Sequence, residues 1–139
     1  MSRPIFQPDE MRWAQDIEDR LKRLERGVAA TWRSIGSATT DVAPFQNGWT
    51  NYGGGYNLAG FLLDANGFIH LRGLIKSGTI GQAAFTIPPG FRPEYDQLFG
   101  TVSNSAIGRV DVTRAGLVIP SVGSNAWISL DGLIFRAYQ

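Results

Sequence analysis

The sequence predicts a mainly β protein: a short N-terminal α-helical coiled coil followed by an antiparallel β-sandwich or barrel-like domain. Three observations carry this expectation. Charge is concentrated in residues 9–26, where eleven of eighteen positions are ionisable, and is sparse afterwards. Glycine supplies 17 of 139 residues, about 12% against a usual ~7%, which requires many tight turns. Short apolar runs separated by turn residues then recur at about ten-residue spacing. The chain divides into a helical segment for oligomerisation or docking (1–33), a linker (34–44) and a β-domain (45–139).

The helix is expected to begin at Pro8 and Asp9, with acids crowding its first turn and Gly27 as a stop signal. Asp16 and Arg20, Glu18 and Lys22, and Asp19 and Arg23 are i,i+4 pairs with the acid on the N-terminal side. That orientation is the better one and contributes about 0.2–0.5 kcal/mol per pair. Ala14, Ile17, Leu21, Leu24 and Val28 alternate spacings of three and four, an a/d seam. The stripe is narrower than that of a helix lying on its own core, which favours self-association. A helix of this length is marginal alone in water, so the coil is expected to depend on an oligomeric body. The seam does not separate two strands from three.

The linker, "SIGSATTDVAP", is small and polar. Strand patterns follow. Residues 61–63 run into the turn Asp64-Ala65-Asn66-Gly67 and return over 68–76, with glycine where a left-handed residue is needed. On the return, Ile69, Leu71, Gly73 and Ile75 share one face; Phe68, His70, Arg72, Leu74 and Lys76 share the other. "SGTIG" is a further turn before a strand at 83–87. The prolines of "PPGFRP" lack amide donors and rule out a central strand at 88–93. Further strands are expected at 98–103, 109–113, 117–120 and 126–136, with "TRAG" turning between the second and third of these.

Catalysis finds little support. There is no cysteine, and His70, the single histidine, sits on a half-polar strand face. No second histidine offers an ordinary nitrogen-ligand metal site, and no run resembles a calcium loop. The acids of the β-domain, among them Asp64, Asp111 and Asp131, sit largely at turns and strand ends, where Asp is common. No helix start and no Lys-Ser/Thr follow "YGGGY", so it is not a phosphate cradle. The expectation is no enzyme, no cofactor and no metal. A net charge of +1 and a pI of about 8.1 give no electrostatic case for nucleic acid or an anionic membrane. No window of 18 apolar residues and no signal-peptide core is present, so synthesis without a signal peptide and no membrane insertion are expected.

What remains is a recognition surface. Trp49, Tyr52, Tyr56, Phe91, Trp127 and Tyr138 combine large apolar area with little side-chain entropy to lose. Trp49 and Trp127 are expected in the core or a subunit interface. Within "NGWTNYGGGYN", Asn47-Gly48 reads as a turn, and Tyr52 and Tyr56, with Asn51 and Asn57, are the candidates for recognition.

The β-domain resembles one that recurs at the C-termini of tailed-bacteriophage minor tail proteins and tail fibres. The matching motifs are, in order, Asn47-Gly48-Trp49, the 64–67 turn, His70-Leu71-Arg72-Gly73, Gly78-Thr79, the segment 87–93 and Leu130-Asp131-Gly132. Ile87-Pro88-Pro89 departs from the commoner Leu-Pro followed by a small residue. The resemblance implies a homotrimer in which a short coiled coil leads into a β-rich tip, carried in the virion tail. It implies other phage tail proteins as partners and a β-domain that faces the host and binds cell-wall saccharide; the candidate contacts Asn51, Tyr52, Tyr56 and Asn57 come from the residues themselves and not from the resemblance. Its receptor-binding positions vary, and it places no catalytic residue on these motifs. The alternative is a purely structural tail connector or plug; a glycan depolymerase is the remotest reading.

Overall fold

The computed structural model describes residues 8–29, 31–36 and 44–138, with side chains for 12–22, 31–36 and 44–138. Helix α1 is Pro8–Ala29. It begins where the start signals lie but runs through Gly27, which is not its stop. One interior glycine costs only about 1 kcal/mol relative to alanine, too little to end a helix whose neighbours continue it. Asp16 and Arg20 pair at 3.3 Å and Glu18 and Lys22 at 3.8 Å, as expected. Asp19 accepts from Gln15 Nε2 at 3.1 Å, while the side chain of Arg23, its expected partner, lies outside the described residues. These pairs are exposed and contribute little.

Along the seam, Ala14 and Leu21 are exposed and Ile17 is half-buried; the side chains of Leu24 and Val28 lie outside the described residues. Leu21 is 52% exposed and the neighbouring Trp13 67%. The described residues contain no second helix, so the single chain shows a helix and not a coiled coil.

The β-body consists of two antiparallel sheets. One has four strands in the order β1 (Arg33–Ser34), β3 (Gly60–Leu63), β4 (Phe68–Arg72), β11 (Ile134–Arg136). The other has seven, in the order β2 (Thr50–Asn51), β5 (Leu74–Lys76), β10 (Ile128–Ser129), β7 (Gln97–Ser103), β8 (Ala106–Val112), β9 (Leu117–Val122), β6 (Phe85–Thr86). Both contribute to one core, in which Phe61, Ile69 and Phe135 meet Ile75, Phe85, Val110, Val118 and Ile128. Arg33 and Ser34 pair with Phe61 and Gly60, and Ile35 is buried, so the β-body includes residues ahead of 45. Of the expected linker, 37–43 lies outside the described residues.

Two runs expected to be single strands are each divided between the sheets. The 68–76 run breaks at Gly73 into β4 and β5, and the 126–136 run breaks at 130–133 into β10 and β11. Gly73 has φ +127°, and a Cβ there would lie 2.5 Å from Ala59 Cα. The break also ends the simple alternation of faces, so Leu74 and Ile75 are both buried. The two crossings are bonded to each other. Gly73 N–H donates to Asp131 Oδ1 at 2.8 Å, Leu130 N–H to Gly73 O at 2.7 Å, and Leu71 N–H to Leu133 O at 2.8 Å.

The quoted motifs take structural roles. Trp49 is 2% exposed, and a Cβ on Gly78 would lie 2.1 Å from its indole. In the 87–93 segment Arg92 Nε donates to Ile87 O at 2.7 Å, and Phe91 packs edge-on against Phe61, ring centroids 5.2 Å apart. In the 64–67 turn, Asp64 Oδ1 accepts from Asn66 N–H and Phe68 N–H, each at 2.9 Å, and Oδ2 lies 2.7 Å from His70 Nε2. His70 is therefore paired across its own hairpin. The β7–β8 turn, Asn104-Ser105, was not expected: both residues have positive φ without a glycine to signal it.

Two outcomes follow. Gly73→Ala should cost at least about 2 kcal/mol in a urea titration, since it meets backbone and strains φ together. The hydrogen bond from His70, aided by the Phe68 and Asn66 N–H groups and opposed by burial, holds the Asp64 carboxyl below its ordinary range. Its folded pKa lies below the unfolded value of ~3.9, so its contribution is complete above about pH 4 and is lost as pH falls through the folded pKa. Melting temperatures of the parent and Asp64→Ala should therefore converge below about pH 4; a constant gap from pH 7 to 2 would contradict this.

Candidate functional site

The sheet order β2-β5-β10-β7 places four sequence-distant segments side by side, and a cleft of about 300 Å³ lies over them. Tyr52 and Tyr56 come from the loop after β2, Leu74 from β5, Trp127, Ser129 and Asp131 from in and around β10, and Val102 from β7.

The two tyrosines meet because of the glycines between them. Gly53, Gly54 and Gly55 have φ of 79°, 61° and 89°, a run that residues with a Cβ rarely adopt. Tyr52 N–H donates to Leu74 O at 2.9 Å, and Leu74 N–H donates to Asn57 O at 3.0 Å, so both ends of the loop are tied to β5. The chain thereby doubles back, and the rings meet edge-to-face at 5.6 Å. Lys76 Nζ lies 5.4 Å from the Tyr52 centroid, over its face.

The neighbouring asparagines brace the loop instead of lining the cleft. Asn51 Oδ1 accepts from Ala59 N–H at 2.8 Å. Asn57 Nδ2 donates to Asp131 Oδ1 at 3.1 Å. Trp127 is half-buried at the cleft, on a loop held by Ser103. Ser103 Oγ is buried, accepts from Ser124 N–H at 2.8 Å, and lies 2.9 Å from Trp127 O. Of the other aromatics considered, Trp49 is in the core and Phe91 packs against it. Tyr138 is exposed beside a separate depression of about 330 Å³ formed with Glu94, Tyr95, Gln97 and Arg136.

The sequence singles out Tyr52 and Tyr56 as candidates but does not join Trp127, Ser129 and Asp131 to them. Asp131 reads in sequence as a turn residue, and only the pairing of β10 with β5, Ser129 opposite Leu74, brings it across. Among the described residues no group of three or more His, Asp or Glu side chains is placed to hold a metal ion, and no helix is long and apolar enough to cross a membrane.

The fold has a solved counterpart. The receptor binding protein (gp15) of Listeria phage PSA superposes with a TM-score of 0.62 at 15% identity, over 98% of this chain and 83% of that one. At that identity the likeness is one of fold. No family model and no curated protein matches the chain.

Gly54 and Gly78 give contrasting tests. A Cβ on Gly54 meets nothing closer than Tyr52 Cε1 at 4.0 Å, so Gly54→Ala should cost only backbone strain, about 1–2 kcal/mol. Gly78→Ala, entering the Trp49 ring, should cost more in the same urea series.

Proposed function

We propose that this chain is a non-enzymatic tail-tip or fibre protein of a tailed bacteriophage, a homotrimer whose β-body binds saccharide on the host surface. The observation that carries the proposal is the match of fold, across 98% of the chain, to a phage receptor binding protein. The ordered motifs that resemble phage-tail domains support it from the sequence alone. The chemistry of the cleft suits the role: Tyr52 and Tyr56 present ring area on a pre-formed loop, beside Trp127.

Self-association is supported by apolar surface that a single chain leaves open. The α1 seam is uncovered at Leu21. On the outer face of the seven-stranded sheet Leu98, Val102, Ile107 and Val122 are exposed, with Ile107 at 85%. Val102 lies directly opposite Ile107, and Arg109 pairs with Asp111 at 2.9 Å on the same strand, so the charges there neutralise one another. An apolar face with an internally balanced ion pair suits burial against protein.

The same face favours a second reading, a structural tail connector that docks on other virion proteins without touching the host. Cell binding separates the two. The host-binding reading expects labelled protein to adhere to host cells and Tyr56→Ala to reduce adhesion; a connector would not adhere. Light scattering after size-exclusion should give three times the 15.2 kDa chain mass, and Leu21→Lys should shift it towards monomer. A stable monomer at micromolar concentration would remove the trimer.

A further inference from the structure

Asp131 occupies an unusual place in the cleft. Its Oδ1 is anchored, accepting from Gly73 N–H at 2.8 Å and Asn57 Nδ2 at 3.1 Å. Its Oδ2 accepts no hydrogen bond, and the carboxylate forms no ion pair, among the described residues. Ser129 Oγ already accepts from Asp131 N–H at 3.1 Å, which leaves its own proton available to donate. A fixed acceptor and a donor thus stand beside three aromatic rings, with Leu74 and Val102 completing the lining.

From this geometry we propose, resting on the reading of the cleft as a saccharide site, that Asp131 makes it a subsite for an uncharged pyranose presenting adjacent hydroxyls. The apolar C–H face of the ring packs on Tyr56 or Trp127, as flat apolar surfaces pack on aromatic faces. Asp131 Oδ2 accepts from the hydroxyls, and hydrogen bonds to an ionised acceptor are roughly twice as strong as neutral ones. Because Oδ1 is already held, little side-chain entropy is lost when the sugar binds. The same charge disfavours a uronate or a phosphate ester, whose anionic group would meet the Asp131 carboxylate in the cleft. Lys76, which sits against Tyr52, is not among the cleft-lining residues, and Asp131 is the one charged side chain that lines the cleft among the described residues.

The test uses the full chain with methyl pyranosides of glucose, galactose, mannose, rhamnose and N-acetylglucosamine, against methyl glucuronide and glycerol 1-phosphate. Saturation-transfer NMR detects binding and titration gives affinity. At least one neutral glycoside should bind, with both anionic probes at least about tenfold weaker. Asp131→Asn keeps an oxygen for Gly73 and Asn57 but turns an amide into the cleft; it should weaken the neutral glycoside about tenfold or more. Tyr56→Ala should also lose binding. Unchanged affinity in Asp131→Asn with loss in Tyr56→Ala would overturn the role of Asp131 and leave the cleft as the site. Loss in Tyr138→Ala but in neither cleft variant would overturn both readings. The neutral-against-anionic comparison needs no variant: equal or tighter binding of an anionic probe, or no neutral binding at all, overturns the proposal even if Asp131→Asn fails to fold.

Discussion

The β-body depends on one hydrogen-bonded junction, where the chain changes sheet twice and the two changes meet. Gly73 stands at the first crossing and Leu130 and Asp131 at the second, with an N–H to carboxylate bond at 2.8 Å and an N–H to carbonyl bond at 2.7 Å joining them. A charge-assisted bond to backbone is among the stronger single contacts available to a small domain. Here it places both sheets around a common core, and the close approach of Ala59 leaves no room for a side chain at residue 73. The tail-fibre-like motifs His70 to Gly73 and Leu130 to Gly132 are thus two halves of one device, distant in sequence and adjacent in space.

The cleft follows from the same junction. Holding β5 beside β10 brings Ser129 opposite Leu74, while the carboxylate that braces the crossing offers its second oxygen to the cleft. The glycine loop adds the tyrosines by a different mechanism: three successive positive φ angles turn the chain back sharply. A rigid floor and an independently shaped wall suit recognition of a small rigid ligand, because little is left to order on binding. The exposed apolar features, Leu21 on the helix and Leu98 and Ile107 on the outer sheet, suit contacts between protein chains, and Val102, opposite Ile107, carries that sheet face to the edge of the cleft.

Much of the layout was legible in the residues. The charged helix, the 64–67 turn, the turn at 113–116 and the exclusion of a central strand at 88–93 follow from local chemistry acting over a few residues. Misreadings arose where local pattern and tertiary pairing diverged. The 68–76 run alternates as one strand should, and nothing local announces that Gly73 passes it to another sheet. Gly27 looks like a helix stop, yet a single glycine is too weak a penalty to end α1 there. Asn51 and Asn57, expected as binding amides, also take tertiary roles that no local pattern announces: Asn51 Oδ1 accepts from Ala59 N–H and Asn57 Nδ2 donates to Asp131 Oδ1.

The sequence by itself determined a helix followed by an all-β body and the places of most turns, because each depends on backbone preferences and side chains within one or two turns. Only the tertiary structure decided which strands share a sheet, that two runs are divided between sheets, and that Trp127, Ser129 and Asp131 join the tyrosines. Those outcomes rest on contacts between residues up to 74 positions apart, such as Asn57 with Asp131, whose closure is specified by the packing of the whole core and by no local signal.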